Sequence, residues 1–128
     1  MSLSGNGKVL VVLLIVFVVC DILLTPLGLE TRPFADITTI GFATLAFLFF
    51  GLALNVASIF LIFRMPRNAS TLAAVGSVFF FPALLADQSG NFSTMSAPAR
   101  ITGVEFVTAI VLIAAIFFAL RVNRENPV

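Results

Sequence analysis

The length of its apolar stretches constrains this chain more than any other feature of the sequence. Residues 37–63 contain no charged side chain, and residues 9–29, 69–86 and 101–120 contain at most one charge each. About 20 mostly apolar residues suffice for a helix that crosses the hydrocarbon core of a bilayer. Lipid offers the backbone no hydrogen-bond partners, which favours helices over open strands. The sequence therefore predicts an all-α fold, an integral membrane bundle of four transmembrane helices, in one domain that covers residues 1–128.

Composition excludes most soluble functions. The chain is 60% hydrophobic and 10% charged, whereas an average soluble domain is about 25% charged. It has no His and a single Cys, which excludes His-ligated metals, Ser-His-Asp catalysis and an internal disulfide. The few basic residues flank the apolar stretches as membrane anchors. We therefore expect no cofactor, no metal and no nucleic-acid partner, and we expect the lipid bilayer to surround the chain.

The distribution of Lys and Arg predicts the orientation of the bundle. With four spans, both termini and the turn at residues 64–67 lie on one side of the membrane. The basic residues of that side are Lys8, Arg64, Arg67, Arg121 and Arg124, whereas the other side carries Arg32 and Arg100. The positive-inside rule places the more basic side in the cytoplasm. We therefore predict cytoplasmic N- and C-termini, in a cell membrane or an inner membrane.

Asp21 is the one charged residue of the first span. A carboxylate near the middle of a bilayer costs about 2.5–3.5 kcal/mol, which the surrounding Val, Leu and Ile side chains offset. Acids at such positions are candidate sites for ions, protons or counter-ions. The structural alternative is an ion pair with Arg100 or a hydrogen bond with Thr25, one helical turn further on. The sequence leaves both interpretations of Asp21 open.

Glu105 is the corresponding acid of the fourth span. Thr108 shares its helical face by i, i+3 spacing, and Arg100 lies five residues earlier. The structural alternative for Glu105 is snorkelling toward the headgroups or a local pair with Arg100, and its shallow position favours that alternative. If spans one and four meet, then Asp21, Thr25, Arg100, Glu105 and Thr108 form a polar binding pocket that opens to the outside. We predict this set as a binding site and assign no catalytic residue.

A helix-packing seam is predicted in the second span. Asn55 is flanked there by Gly51, Ala53 and Ala57. Small residues let membrane helices approach closely, and amides form hydrogen bonds between them. In the third span, Pro82 predicts a kink near the outer end of the helix.

Three classes of function fit these features. The sequence favours a non-catalytic accessory or structural subunit of a larger membrane complex, because the loops are short and no motif calls for chemistry. An alternative is an oligomeric transporter or channel for a small cation or a proton-coupled solute, which would use Asp21 and Glu105 within the membrane. A second alternative is a lipid-modifying membrane enzyme with these acids as general acid and base. The expected partners are accordingly other membrane subunits or further copies of the chain.

Overall fold

The computed structural model of the chain describes residues 3–31, 34–96 and 98–127, with the backbone alone described for residues 26–31. Four helical segments in this part of the chain are long and apolar enough to cross a membrane, one of which consists of two shorter helices. The predicted all-helical fold with four such segments is confirmed. The elements are α1 (Gly5–Thr31), a 3-10 turn (Phe34–Asp36), α2 (Thr39–Leu61), α3 (Pro66–Val78), α4 (Phe81–Gln88) and α5 (Ala99–Glu125).

The helices form a bundle in which α5 packs against α1 and α3, and α2 packs against α3 and α4. Both ends of the described chain lie at one end of the bundle, the terminal end, where Ser4 Oγ donates a hydrogen bond to Glu125 Oε2 (2.6 Å). The turn between α2 and α3 lies there as well, because Arg67 Nη1 donates to the Asn126 carbonyl (3.2 Å). The opposite end, the loop end, carries the segments before α2 and after α4.

Two stripes of buried residues with matching spacing lie on α1 and α5. Steps of three and four residues keep each stripe on one side of its helix. On α1 the stripe consists of Leu10, Leu14, Phe17 and Asp21. On α5 it consists of Ile101, Glu105, Thr108, Leu112, Ala115, Ala119 and Val122. Each stripe is therefore apolar toward the terminal end and carries an acid toward the loop end.

The apolar core has two parts of different character. The terminal-half core is rich in alanine and consists of Leu10, Leu14, Ile62, Ala69, Ala73, Ala115, Ala119 and Val122. The loop-half core has larger side chains and consists of Phe17, Leu48, Phe80, Ala83, Leu84, Ala109 and Leu112. Small side chains let helices approach closely at the terminal end, whereas the rings of Phe17 and Phe80 meet edge to face in the loop half, 6.3 Å between centroids.

Two glycines form the crossing of α2 and α3. A Cβ atom on Gly51 would lie 2.5 Å from the Gly76 carbonyl oxygen, and a Cβ atom on Gly76 would lie 2.7 Å from the Gly51 carbonyl oxygen. Neither position has room for a side chain. Backbone contacts therefore replace side-chain packing near the middle of the bundle.

The third apolar segment is broken between α3 and α4. The break covers Phe79 and Phe80, and Pro82 lies in the first turn of α4. In a continuous helix the Pro82 ring would collide with the Val78 carbonyl and could donate no hydrogen bond to it. In the first turn of a new helix the missing N–H has no cost. The predicted kink therefore lies just before the proline, at Phe79 and Phe80, which keep helical backbone angles (φ −69° and −72°).

At the loop end, the segment after α4 packs directly on the start of α2. The Thr38 N–H donates to the Phe92 carbonyl (3.0 Å), and the Thr94 N–H donates to the Asp36 carbonyl (2.8 Å). A Cβ atom on Gly41 would lie 2.1 Å from the Phe92 carbonyl oxygen, so only glycine leaves room for this contact. The Phe92 side chain is buried as a result.

Candidate functional site

Asp21 is the loop-end residue of the buried stripe on α1. Its side chain is only 4% exposed. Thr25, one turn later, donates its hydroxyl proton to the Asp21 backbone carbonyl (3.0 Å) rather than to the carboxylate. Within residues 3–31, 34–96 and 98–127, no side chain donates a hydrogen bond to the Asp21 carboxylate or forms an ion pair with it. The carboxylate is therefore buried with open acceptor positions.

Glu105 holds the equivalent position on α5. Its side chain is 8% exposed, and its Oε2 accepts a hydrogen bond from Gln88 Nε2 (3.1 Å). Gln88 is the last residue of α4, so this hydrogen bond connects α4 to α5. A hydrogen bond to an ionised acceptor is stronger than one between neutral groups. Glu105 thus combines a position in the buried stripe with a contact that ties two helices together.

Asp21 and Glu105 line one cavity of about 140 Å³. Asp87 on α4 supplies a third carboxylate to its wall. The remaining wall is mostly apolar and includes four phenyl rings, those of Phe34, Phe49, Phe80 and Phe92. Aliphatic side chains from α2, α4 and α5 complete it, among them Leu45, Leu48, Leu84 and Ile101. The cavity therefore joins carboxylates to a hydrocarbon surface, and it is partly open to the exterior of the bundle.

A carboxylate in apolar surroundings attracts positive charge strongly, because the low local dielectric weakens the attraction less than water does. The carboxylates of this site are therefore suited to bind a proton or a cation. The hydrocarbon part of the wall gains free energy from contact with an apolar group. The geometry is suited to binding, and no residue of the described wall is placed as a nucleophile beside a base.

Two of the predicted site residues do not line this cavity. Arg100 lies in the first turn of α5 with an exposed side chain. The five residues between Arg100 and Glu105 correspond to about 140° around a helix, so the two side chains point in different directions. Thr108 is buried, but its hydroxyl donates to the Val104 carbonyl (2.7 Å). Thr25 does line the cavity.

The predicted seam on α2 separates into two faces. Gly51 and Asn55 are buried, whereas Ala53 and Ala57 are exposed. Two residues correspond to about 200° around a helix, so the alanines lie opposite the buried pair. Packing on α3 is therefore due to the Gly51 and Asn55 face, and Ala53 and Ala57 take no part in it.

The interhelical hydrogen bond of this seam also differs from the expectation. Neither amide atom of Asn55 has a hydrogen-bond partner in the described residues, although the side chain is completely buried. Ser58, one turn later, instead donates its hydroxyl to the Ala69 carbonyl on α3 (2.7 Å). Ser58 thus forms the contact that the sequence had suggested for Asn55.

The apolar and aromatic part of the site was not predicted. Neither Asp87 nor the phenyl rings belong to the set of residues that the sequence predicts for the site. One signal was present, because Phe92 stands alone among polar residues in the segment after α4. An isolated aromatic residue in a polar loop is often buried against the core. Arg32, which is predicted on the same side of the membrane as Arg100, lies outside the described residues.

Comparison with known proteins finds no family model, curated protein or solved structure that matches this chain. The fold and the site together define a class, namely an all-helical protein with four long apolar helical segments and a carboxylate-lined cavity at one end. The function has to follow from the chemistry of this cavity.

Proposed function

We propose that the chain is an integral membrane protein that acts as an oligomeric transporter or channel for a small cation or a proton-coupled solute. The four apolar segments cross the bilayer in this proposal, with both termini in the cytoplasm as the positive-inside rule favours. Asp21 and Glu105 bind the transported cation or proton. The observation that carries the proposal is that these two acids, from different helices, line one cavity.

The burial of Asp21 supports a binding role. An acid within the hydrocarbon region costs about 2.5–3.5 kcal/mol, and acids retained there commonly belong to ion or proton pathways. A purely structural acid is expected to have a hydrogen-bond donor that offsets this cost. Asp21 has none in the described part of the chain. A bound cation or proton supplies the missing compensation.

Competition between a proton and a cation provides a means of coupling. A protonated carboxyl group is neutral and no longer attracts a cation, so the binding of one favours the release of the other. Asp21 and Glu105 lie in the same cavity, so a charge on either group acts on the same ligand. This exclusion is the minimum that a proton-coupled carrier requires.

The kink in the third apolar segment supports a moving part. α4 contributes Ala83, Leu84 and Asp87 to the cavity wall, and only Phe79 and Phe80 join it to α3. Discontinuous helices allow one half-helix to move against the rest of a transporter. A displacement of α4 would change the access to both acids.

An accessory or structural subunit is the second candidate. The observation that favours it is the broad apolar surface of α1 and α5, where Val12, Ile22, Ile110 and Ile113 are exposed. Acyl chains or the helices of another subunit can cover such a surface. A subunit of this kind does not need the cavity to bind a ligand, so substitutions of Asp21 would leave its assembly with other subunits unchanged.

The test uses purified protein in liposomes on a solid-supported membrane. Rapid concentration steps of H⁺, Na⁺, K⁺, ammonium and benzylammonium, an organic cation, are applied while charge displacement is recorded. We expect a transient current for at least one of these ions, reduced by about tenfold or more in Asp21→Asn and Glu105→Gln, because each variant lacks one of the charges that bind the ion.

The matched control is Asp36→Asn. Asp36 is an acid of the loop end that lies outside the cavity wall, so its replacement should preserve the current. If no ion produces a current in the unaltered protein, or if both cavity variants keep it, the transporter proposal is wrong.

A further inference from the structure

We propose that the ligand of the cavity is a protonated amine with a small apolar body, whose ammonium group binds Asp21 while its body lies against the phenyl-lined wall. This inference rests on the proposed function and names the chemical class of the solute. It draws on three independent features of the cavity, namely its size, its open acceptor and its aromatic rings.

The size of the cavity suits a body of about one benzene ring. A cavity of about 150 Å³ lined by Leu, Ile and Phe side chains admits benzene. The cavity here is about 140 Å³ and partly open, so a substituent on such a ring can extend beyond it. Leu45, Leu48 and Ile101 offer this body hydrocarbon contacts and no side-chain hydrogen bonds. The wall therefore selects an apolar body.

The open acceptor is the Asp21 carboxylate. Thr25 directs its hydroxyl to the backbone, and the Gln88 amide donates to Glu105. An ammonium group with N–H donors forms charge-assisted hydrogen bonds with a carboxylate. A neutral ligand of the same shape would leave the buried charge uncompensated. Asp21 therefore selects a positive charge that carries hydrogen-bond donors.

The aromatic rings favour the same charge. Four phenyl side chains line this small cavity, and the faces of aromatic rings attract organic cations. Phenyl rings have no hydroxyl or indole N–H, so they provide this attraction without competing for the carboxylate. Rings and carboxylate together recognise an organic ammonium ion.

Metal cations fit the cavity less well. The described residues contain no group of three or more His, Cys, Asp or Glu side chains that could hold a metal ion. Hard cations need six or more oxygen ligands or retained waters, which phenyl and aliphatic side chains cannot replace. An alkylammonium ion brings its own apolar surface to this environment.

The test compares three probes that share one ring. Benzylamine is protonated at neutral pH, benzyl alcohol is its neutral counterpart, and benzyltrimethylammonium carries the charge without an N–H donor. Their affinities are measured by titration calorimetry on the purified full-length protein in detergent micelles, with empty micelles as the blank. The same titrations are made with Asp21→Asn and with Asp36→Asn, an acid outside the wall.

We expect the unaltered protein to bind benzylamine about tenfold or more tightly than either other probe. Asp21→Asn should reduce this preference to about one, and Asp36→Asn should retain it. The preference of the unaltered protein is informative by itself, so a variant that folds poorly does not remove the test.

Each contrary result has a separate meaning. Equal affinities for benzylamine and benzyl alcohol would show that the cavity binds a ligand but does not select a protonated amine. A preference for benzyltrimethylammonium, or a benzylamine preference that survives in Asp21→Asn, would overturn the contact with Asp21. If no probe binds but inorganic ions drive currents, the proposal of an amine ligand is wrong and the proposed function stands. No binding and no currents would overturn both.

Discussion

The terminal half and the loop half of the bundle are packed in different ways. In the terminal half, alanines bring the helices close together, and polar groups at the helix ends are hydrogen-bonded. Asn123 Nδ2, for example, donates to Ser70 Oγ (3.2 Å), and Ser4 Oγ donates to Glu125 (2.6 Å). Each half has a cavity, but the one in the terminal half is lined partly by polar residues such as Ser4, Glu125 and Asn126. The cavity in the loop half is mostly apolar and holds Asp21, which is buried without a donor in the described part of the chain.

This difference separates a structural frame from a binding region. Close-packed interiors resist rearrangement, because any shift loses many small contacts at once. A region in which an apolar cavity surrounds an acid without a donor in the described part of the chain gives up that packing, and a ligand can restore it. The two halves should therefore respond differently to comparable substitutions.

The largest effect is expected at the glycine crossing that joins the two halves. In Gly51→Leu the new side chain would collide with the Gly76 carbonyl oxygen, which lies 2.5 Å from the Cβ position. The Gly76 carbonyl belongs to the backbone of α3 and cannot move aside, and the Phe79 Cβ atom lies 2.8 Å from the same position. We expect a loss of more than about 3 kcal/mol in the free energy of unfolding, measured by denaturation in mixed micelles that contain SDS.

The matched control for this prediction is Gly103→Leu. A Cβ atom on Gly103 meets nothing within 4 Å, so the same substitution should change the free energy of unfolding by about 0.5 kcal/mol or less. Equal losses for both variants would show that added bulk, and not the crossing, determines the effect.

A smaller effect is expected from shortening leucines in the two halves. Leu14 is completely buried in the terminal-half core, and Leu48 borders the cavity. Leu14→Ala should cost about 3 kcal/mol. Leu48→Ala should cost about half as much, because its side chain already lacks neighbours on the cavity side. Denaturation of both variants under identical conditions makes the comparison, and a Leu48→Ala loss as large as that of Leu14→Ala would contradict the difference between the halves.

The smallest effect is expected at Asn55, and it has the opposite sign. Both amide atoms are buried without a partner in the described residues, so Asn55→Leu should stabilise the protein by about 1 kcal/mol. Ser58→Ala removes a hydroxyl that does donate to Ala69 and should destabilise it by about 1 kcal/mol. Thermal unfolding of the two variants gives the sign of each change, and a destabilised Asn55→Leu would contradict the prediction.

The sequence was informative wherever one property repeated over many residues. Four long apolar stretches predict four helices, because the length of such a stretch is a strong signal that neighbouring residues share. Residues 9–20 are all apolar, so the sequence does not indicate which side of the first helix is buried. That Asp21 and Glu105 line one cavity follows only once α1 and α5 pack together.

The sequence was less informative where one contact decides the outcome. Ala53 and Gly51 are both small, and only the position of α3 determines which of them is buried. The Pro82 ring disfavours a continuous helix, but it does not determine how far the chain bends at Phe79 and Phe80. Asp87 and Phe92 join the site through the docking of a loop, and such docking depends on contacts between residues far apart in the chain.

The most direct measurement is native mass spectrometry of the protein released gently from its own membrane, made on the unaltered chain and on Asp21→Asn. The proposal that Asp21 binds a small cationic solute predicts a homo-oligomer that retains a small molecule, and predicts that Asp21→Asn keeps the same oligomer without that molecule. A complex of fixed stoichiometry with other polypeptides, unchanged by Asp21→Asn and without a bound small molecule, would contradict the proposal and identify the chain as an accessory subunit.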